Sequence, residues 1–317
     1  GTDYGRQSDF SIASCFPSRK GNYLRSRFHV ALRLILRALR RLGASLPPFE
    51  IGFCPDDCSP ALKAGGHGVL PLLTSVSCTG QSTLPFVAWT VNSNRATDLS
   101  EWDSYMDEWA RNARTAAWDT RIAKAVFRGH LRPFTVCGGW PSGTPHYNEL
   151  VNASNWRGRG RSAIWAARIA HPELLDVNFD NHDEMAKLWK LSAAEANAID
   201  EPTSISMEEQ ARRFRYAIHP EGQCGFADRL KSIMALPMLI FKQANPCSEW
   251  YEAMLLPGKH YLPVDGSYAN LSDAIAWARA HDTEAQRIVA AANVHVRQVV
   301  SVAGVYAYSE RLIRSYA

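Results

Sequence analysis

Short apolar segments alternate with amphipathic segments throughout the second half of the chain, and this alternation restricts the fold more than any other feature. Strands that are separated by helices favour parallel βαβ units with right-handed crossovers. Such units form a parallel sheet with helices on both faces. The pattern therefore predicts an α/β fold, with strands at 123–127, 174–179, 214–218, 238–241 and 260–264.

The first half carries a weaker version of the same pattern. Residues 22–43 have apolar side chains at three- and four-residue steps, which predicts a helix, and residues 49–53 form a predicted short strand that ends in a polar loop. A chain of 317 residues is long enough for two domains. We place these domains at 1–122 and 123–317, and we expect residues 282–314 to form one long C-terminal helix.

The composition is that of a globular protein and excludes several other classes. Hydrophobic residues make up 46% of the chain and charged residues 21%, which excludes a disordered or coiled-coil chain. No apolar run approaches the ~18 residues that a membrane-spanning helix needs, so no membrane span is predicted. The formal net charge of +4 is too small to indicate a nucleic-acid partner. Nucleic-acid binding by the arginine-rich helix at 25–41 stays open as an alternative, although no aromatic residue lies between Arg33, Arg37, Arg40 and Arg41.

The seven cysteines form neither a disulfide scaffold nor the paired spacing of a zinc site. We expect free or partly paired thiols and no metal centre. Two Asn-x-Ser triplets, at Asn152 and Asn270, are weak indications of a secreted chain.

A strand-to-helix turn within 214–231 has the strongest features of an anion-binding site. Its glycines let backbone N–H groups approach a ligand, and a helix N-terminus carries partial positive charge. Arg229 lies in the first turn of the predicted helix, where its guanidinium can bind phosphate oxygens in pairs. The alternative is a plain tight turn with a surface arginine.

Arginines also gather beside two other predicted elements. Arg128 follows a strand, and Arg157, Arg159 and Arg161 precede a helix, where positive charge opposes the helix dipole unless an anion is bound. This arrangement favours a second contact to phosphate. A solvated loop of arginines is the equal alternative.

Asp56 and Asp57 lie just beyond the predicted strand at 49–53. A carboxylate in that position can accept a proton from an attacking hydroxyl group. On local sequence alone, an aspartate that caps a turn is the commoner explanation.

Five blocks, taken in order, resemble the CAP10-like glycosyltransferases (glycosyltransferase family 90), which include protein O-glucosyltransferases and fungal xylosyltransferases. The block around Arg229 resembles the family's Gly-Trp-Ser-x-Arg-Leu-Lys sequence, and the order of the blocks is more specific than any one of them. The blocks are Phe127-Arg128-Gly129, His171 to Asp176, Gly225 to Lys231, Glu249-Trp250-Tyr251 and His260 to Val264.

The resemblance implies a GT-B architecture, in which two Rossmann-like domains face a cleft and the second domain holds a UDP-sugar. It implies that Asp57 is the general base of an inverting transfer of glucose or xylose to a hydroxyl group of a protein or glycan. Ala227 and Arg229 would bind the diphosphate from one side and Arg161 from the other. The full set of donor-binding residues implied is Arg128, His130, Arg161, Gly225, Phe226, Ala227, Asp228, Arg229 and Glu249.

The same resemblance implies a monomer in the lumen of the secretory pathway that needs no metal or cofactor. The basic clusters would then neutralise the leaving diphosphate. His130 stands where the protein O-glucosyltransferases have Ser. The alternative is a catalytically inactive relative that binds a sugar nucleotide or a glycan.

Overall fold

The computed structural model describes residues 12–13, 22–54, 72–79, 82–87, 99–132, 150–198, 205–222 and 227–317, which contain both strands and helices. The strands are β1 (Ile12–Ala13), β2 (Ile51–Cys54), β3 (Leu72–Thr74), β4 (Ser77–Cys78), β5 (Thr83–Pro85), β6 (Ile122–Gly129), β7 (Leu175–Phe179), β8 (Phe214–His219), β9 (Leu239–Gln243), β10 (Cys247–Ser248) and β11 (Leu262–Val264). The α-helices are α1 (Asn22–Leu42), α2 (Trp102–Ala113), α3 (Ser162–Ala170), α4 (His182–Leu188), α5 (Ala193–Ala196), α6 (Met207–Arg213), α7 (Leu230–Ala235), α8 (Leu271–Ala280), α9 (Asp282–Val299) and α10 (Val302–Tyr316).

The second half forms a parallel sheet with the strand order β11-β9-β8-β6-β7. This confirms the predicted alternation, and the ends of the five strands lie within two residues of the predicted positions. Helices cover both faces, which explains why the middle of each long strand is apolar, as in Ala217-Ile218 of β8 and Leu239-Ile240-Phe241 of β9. Val126 and Ala217 face the hydrophobic cluster that contains α7, whereas Phe127 and Tyr216 face the cluster that contains α3 and α8.

The strand order contains one point at which the direction of strand addition across the sheet reverses. The chain enters the sheet at β6, adds β7 on one side, and then adds β8, β9 and β11 on the other. In open α/β sheets, ligands bind outside the carboxyl ends of the two strands that flank such a point. In this sheet those strands are β6 and β8.

The first half forms a second parallel sheet with the order β1-β2-β3-β5. The strand predicted at 49–53 is β2, which ends at Cys54. Two parallel sheets, together with helices α1 to α10, confirm the α/β class. Helix α2, which precedes the second sheet, packs against α6 and α7. The division into domains 1–122 and 123–317 stays a prediction.

The prediction of one long helix over 282–314 was wrong. α9 and α10 are separate helices, and their axes differ in direction by 60°. Ser301 starts α10 as its N-cap, because its Oγ accepts a hydrogen bond of 3.1 Å from the N–H of Gly304. Apolar periodicity continues across the break, so the pattern alone did not reveal it. The bend directs α10 onto α1.

No single described helix is long and apolar enough to cross a membrane, and the bent pair α9 and α10 meets that criterion only when the two are taken together.

A disulfide joins the two halves of the chain. Cys78 of β4 is bonded to Cys247 of β10, and the two strands form an antiparallel pair. Of the cysteines that the structure describes, Cys54 is also disulfide-bonded and none is free. The expectation of free or partly paired thiols is therefore not met by these three cysteines, and for the others it stays a prediction. The cross-link fixes the segment after β9 against the first half.

Replacing Gly304 by Ala tests the tight junction between α9 and α10. A Cβ at this position would lie 2.7 Å from the carbonyl carbon of Val299 and would overlap its oxygen. We expect the variant to lose about 1–3 kcal/mol of unfolding free energy in urea titrations. Helix propensity alone predicts the opposite sign, a gain of about 1 kcal/mol, so a more stable variant would contradict the account. Ser301→Ala is the comparison and should cost about 1 kcal/mol through loss of the cap alone.

Replacing both Cys78 and Cys247 by Ser tests the link between the halves. The bond closes a loop with a sequence separation of 169 residues, so its removal should increase the entropy of the unfolded chain. We expect a loss of about 2–5 kcal/mol, measured by urea unfolding without reductant. Each single variant should match the double variant. Wild-type stability in the double variant would show that the bond contributes nothing.

Candidate functional site

The candidate site lies at the carboxyl ends of β6 and β8, between which the direction of strand addition across the sheet reverses. The end of β6 brings Gly129 to this edge, and the end of β8 brings His219. Arg161 directly precedes α3, and Arg229 directly precedes α7. The two arginines that sequence analysis placed on opposite sides of a phosphate group therefore come to one edge of the sheet.

Arg161 and Arg229 lie against the same aromatic ring. Their guanidinium carbons are 5.8 Å and 5.0 Å from the ring centroid of Phe127. Burial, and then the positive charge of Arg161, lower the pKa of Arg229 to about 9. Burial also lowers the pKa of Arg161. Neither guanidinium forms an ion pair with a carboxylate among the described residues.

Backbone carbonyl groups hold both side chains in place without neutralising them. Arg161 donates from Nε and Nη2 to the carbonyl oxygen of Glu221, at 3.1 Å and 2.9 Å, and from Nη1 to that of His130 at 2.8 Å. Arg229 donates from Nη1 to the carbonyl oxygen of Arg128 at 3.1 Å. Its other N–H groups have no partner in the described part of the chain. The pair is thus oriented, and neither guanidinium is hydrogen-bonded to a carboxylate of the described residues, which suits a site for an anion.

Gly129 makes room for this arrangement. A Cβ at Gly129 would lie 2.8 Å from the Cζ atom of Phe127 and 3.4 Å from Nη2 of Arg229. The first distance is too short for an undisturbed contact, so a larger residue would displace the ring on which both guanidinium groups lie. This explains why a glycine follows Phe127 and Arg128 in the Phe-Arg-Gly block.

The side chains of two other predicted binding residues are engaged within the protein. Arg128 forms an ion pair with Asp176 and also donates to the carbonyl oxygen of Asp176 at 2.8 Å. His130 donates from Nδ1 to Asp180 at 2.8 Å, because its Nε2 accepts from the amide of Asn181 at 3.1 Å. These contacts fix the loop after β6. The backbone carbonyl groups of Arg128 and His130 orient Arg229 and Arg161.

The cluster of arginines before α3 is divided by the fold. Arg157 pairs with Glu195 and stacks on Trp156, so it does not join Arg229. Arg161 is the member of the cluster that reaches the site.

The segment around α7 differs from the predicted helix start. The prediction placed Arg229 within the first turn of a helix, whereas α7 begins at Leu230 and has six residues. Ala227 precedes it in a turn, and its carbonyl oxygen accepts from the N–H of Leu230 at 3.2 Å. In so short a helix the positive charge comes mainly from the arginines rather than from the helix terminus. Asp57, Gly225 and Phe226 lie outside the described residues.

Asp228 and Glu249 surround a buried lysine. Lys231 is 2% exposed and forms an ion pair with Asp228. Its Nζ atom lies 3.4 Å from Oε2 of Glu249. Glu249 is 1% exposed and also accepts from the hydroxyl of Tyr251 at 3.3 Å. Burial raises the pKa of Glu249 despite the nearby lysine. In this structure the two carboxylates act as counter-ions of Lys231.

Two buried polar residues of the site were not among the predicted binding residues. His219 and Glu221 are each 5% exposed, at the end of β8 and just after it. The Nδ1 atom of His219 and the Oε2 atom of Glu221 have no hydrogen-bond partner among the described residues. The available signal was the sequence His-Pro-Glu at the carboxyl end of a buried strand, where ligands bind. Sequence analysis alone did not distinguish these side chains from structural ones.

A cavity of about 300 Å³ adjoins Arg229 on the face of the sheet that carries α7. Apolar side chains such as Val126, Ala217 and Ile233 line it together with Asp228 and Arg229. A cavity of this size and composition can accept the uncharged part of a small ligand whose anionic part meets the arginines.

Proteins with similar sequences include named glucosyltransferases, each matched over part of its length. Protein O-glucosyltransferase 3 of Rattus norvegicus is 29% identical over 105 residues, which is 33% of this chain and 20% of that protein. Human protein O-glucosyltransferase 1 is 20% identical over 225 residues, covering 70% of this chain and 48% of the relative. Uncharacterized protein 035R of invertebrate iridescent virus 3 is 27% identical over 172 residues, 53% of this chain and 14% of the relative. The chain thus spans less than half the length of each of these relatives.

Two solved structures show a weaker, structural similarity. Anabaena Alr3699/HepE in complex with UDP and glucose aligns with a TM-score of 0.44 and 12% identity, covering 90% of this chain and 76% of that one. A glycosyltransferase from Rickettsia africae aligns with a TM-score of 0.44 and 10% identity, covering 96% and 97%. These TM-scores are too low to transfer any detail of a site.

The family model named Glycosyl transferase family 90 matches residues 18–317. The match includes the whole parallel sheet of the second half and both arginines of the candidate site. Because it covers nearly the entire chain, the chain belongs to glycosyl transferase family 90.

Proposed function

We propose that this chain is an inverting glycosyltransferase that moves glucose or xylose from a UDP-sugar to a hydroxyl group of a protein or glycan acceptor. The observation that carries the proposal is the pair Arg161 and Arg229, two partly buried guanidinium groups without a carboxylate partner among the described residues, on one ring at the edge of the sheet. Membership of the family supports the reaction class.

The arginine pair suits the charge that develops on a departing nucleoside diphosphate. When the bond between the sugar and UDP breaks, negative charge accumulates on the β-phosphate. Groups that are already oriented toward that charge stabilise the transition state without reorganising. Arg161 and Arg229 are oriented in this way by the carbonyl groups that hold them. We propose that they serve in place of a metal ion.

The acceptor side of the reaction rests on Asp57, which follows β2 by a few residues in the sequence. In the proposed step, the carboxylate of Asp57 takes the proton of the acceptor hydroxyl, and the hydroxyl oxygen attacks the anomeric carbon in line. The bond from that carbon to the UDP oxygen breaks, UDP leaves with the electron pair, and the configuration inverts. This assigns the acceptor side to domain 1–122 and the donor to domain 123–317 of a GT-B monomer.

The proposed compartment is the lumen of the secretory pathway. Disulfides persist in oxidising compartments and are rare in the cytosol. The bond between Cys78 and Cys247 joins two segments that lie 169 residues apart in the sequence. This supports a lumenal enzyme.

Replacing Arg229 by Ala tests the diphosphate site. We expect UDP binding, measured by isothermal titration calorimetry, to weaken by about 1–3 kcal/mol, which is the contribution of charge-assisted hydrogen bonds. The exposed Arg314→Ala variant is the matched control and should bind like the wild type. An unchanged dissociation constant in the Arg229 variant would place the diphosphate elsewhere.

The same titration has an expected pH dependence. The pKa of Arg229 is about 9 in the free protein, and a bound diphosphate favours the charged form. Affinity for UDP should therefore be highest below pH 9 and should decrease as the pH rises through that value. The Arg229→Ala variant should lack this decrease.

Replacing Asp57 by Asn separates catalysis from binding. We expect transfer from UDP-glucose or UDP-xylose to a panel of protein and glycan acceptors to be abolished, with the dissociation constant for UDP nearly unchanged, because the amide cannot accept the proton. Wild-type transfer should continue in EDTA. A wild type that binds UDP and neither transfers nor hydrolyses any UDP-sugar would instead be a sugar-nucleotide-binding relative.

A further inference from the structure

Glu221 has an unusual position for a carboxyl group in a protein. It is 5% exposed, and its Oε2 atom has no hydrogen-bond partner within the described ranges. Buried polar atoms are nearly always paired, so an unpaired one at the ligand-binding edge of a sheet points to a missing ligand. The same residue is tied to the site through its backbone, because its carbonyl oxygen accepts from Arg161.

The carboxyl group is not simply the counter-ion of Arg161. Arg161 contacts the carbonyl oxygen of Glu221, and the two side chains form no ion pair. Burial raises the pKa of Glu221 to about 8, and the positive charge of Arg161 only partly opposes that effect. A carboxylate held as a structural ion pair would show a lowered pKa. The side chain is therefore left for another group.

The backbone of Glu221 is fixed on both sides. Its N–H donates to Oε1 of Gln243 at 2.7 Å, and the same oxygen accepts from the hydroxyl of Tyr268 at 2.9 Å. The amide of Gln243 donates in turn to the carbonyl oxygen of Gly266 at 2.7 Å. With its carbonyl oxygen held by Arg161, the residue has little freedom to turn away. This is the preorganisation expected of a binding residue.

His219, two residues before Glu221 in the sequence, supplies a second buried polar group, and this one is neutral. Its Nδ1 atom also has no hydrogen-bond partner in the described part of the chain. Burial, and then the charges of Lys242, Arg229, Arg161 and Lys231, lower the pKa of His219 well below its usual value. The ring is therefore uncharged at neutral pH and can make a hydrogen bond without adding charge.

The chemistry of these groups selects the kind of ligand. With its pKa at about 8, the carboxyl group of Glu221 is largely uncharged at neutral pH and offers a phosphate no positive charge. Arg161 beside Glu221, and the lysines and arginines that act on His219, would repel a metal cation. A neutral group with several hydroxyls can donate to the carboxyl oxygen and bond to the imidazole, while its attached diphosphate meets the arginines.

We propose that Glu221 and His219 form the subsite for the hydroxyl groups of the transferred sugar, with Glu221 Oε2 accepting from a sugar hydroxyl. The inference rests on the proposed function, because it takes the diphosphate to lie between Arg161 and Arg229. It makes Glu221 a residue that distinguishes a UDP-sugar from UDP.

The test compares the binding of UDP, UDP-glucose and UDP-xylose by isothermal titration calorimetry in the wild type, Glu221→Ala and Glu221→Gln. Wild-type protein should bind at least one UDP-sugar more tightly than UDP. In Glu221→Ala that preference should fall at least tenfold while the dissociation constant for UDP stays within twofold. In Glu221→Gln the preference for a UDP-sugar should fall less, because the amide oxygen can still accept a hydrogen bond. Glu173→Ala, which removes an exposed carboxylate before β7, is the control and should keep the preference.

Melting temperatures distinguish this role from a structural one. Removing an unpaired buried carboxyl should leave the melting temperature of the free protein unchanged or higher. A lower melting temperature together with equal weakening of UDP and UDP-sugar binding would overturn the proposal, as would an unchanged preference in Glu221→Ala. Failure of the wild type to bind UDP at all would refute the proposed function first, and the subsite with it.

Discussion

Two guanidinium groups on one phenylalanine ring are the constraint on which the rest of the site depends. The guanidinium carbons of Arg161 and Arg229 lie within 6 Å of the ring centroid of Phe127. Burial lowers the pKa of both guanidinium groups. Placing like charges together in a partly buried place costs free energy unless an anion joins them. The protein maintains this arrangement through backbone carbonyl groups, which orient the arginines without neutralising them. A bound anion would relieve this cost, which is why we propose the pair as the diphosphate site.

The topology of the sheet brings these residues together from distant parts of the sequence. Because β6 lies between β7 and β8, the segments that follow β6 and β8 diverge from a common point. Arg161 reaches that point from the start of α3, and Arg229 reaches it from the turn before α7. Gly129 is needed because a Cβ there would displace the ring. The site is thus a consequence of strand order combined with one small residue.

Structure could be predicted from the sequence where the pattern of residues is local and regular. The strands of the second sheet follow from apolar runs between helices, and Arg161 and Arg229 follow from a resemblance to a family. The break between α9 and α10 was missed because apolar periodicity continues across it, and the cap by Ser301 is a signal of only a few residues. The burial of Glu249 against Lys231 depends on packing between segments that are far apart in the sequence, which spacing does not encode. For the same reason Glu221 was not singled out.

The central claim is that the arginine pair binds the diphosphate of a nucleotide donor. A crystal structure of the chain with UDP bound tests this most directly. The account predicts that oxygens of the β-phosphate lie within about 3.2 Å of guanidinium nitrogens of both Arg161 and Arg229. A well-ordered UDP whose diphosphate contacts neither arginine would contradict it.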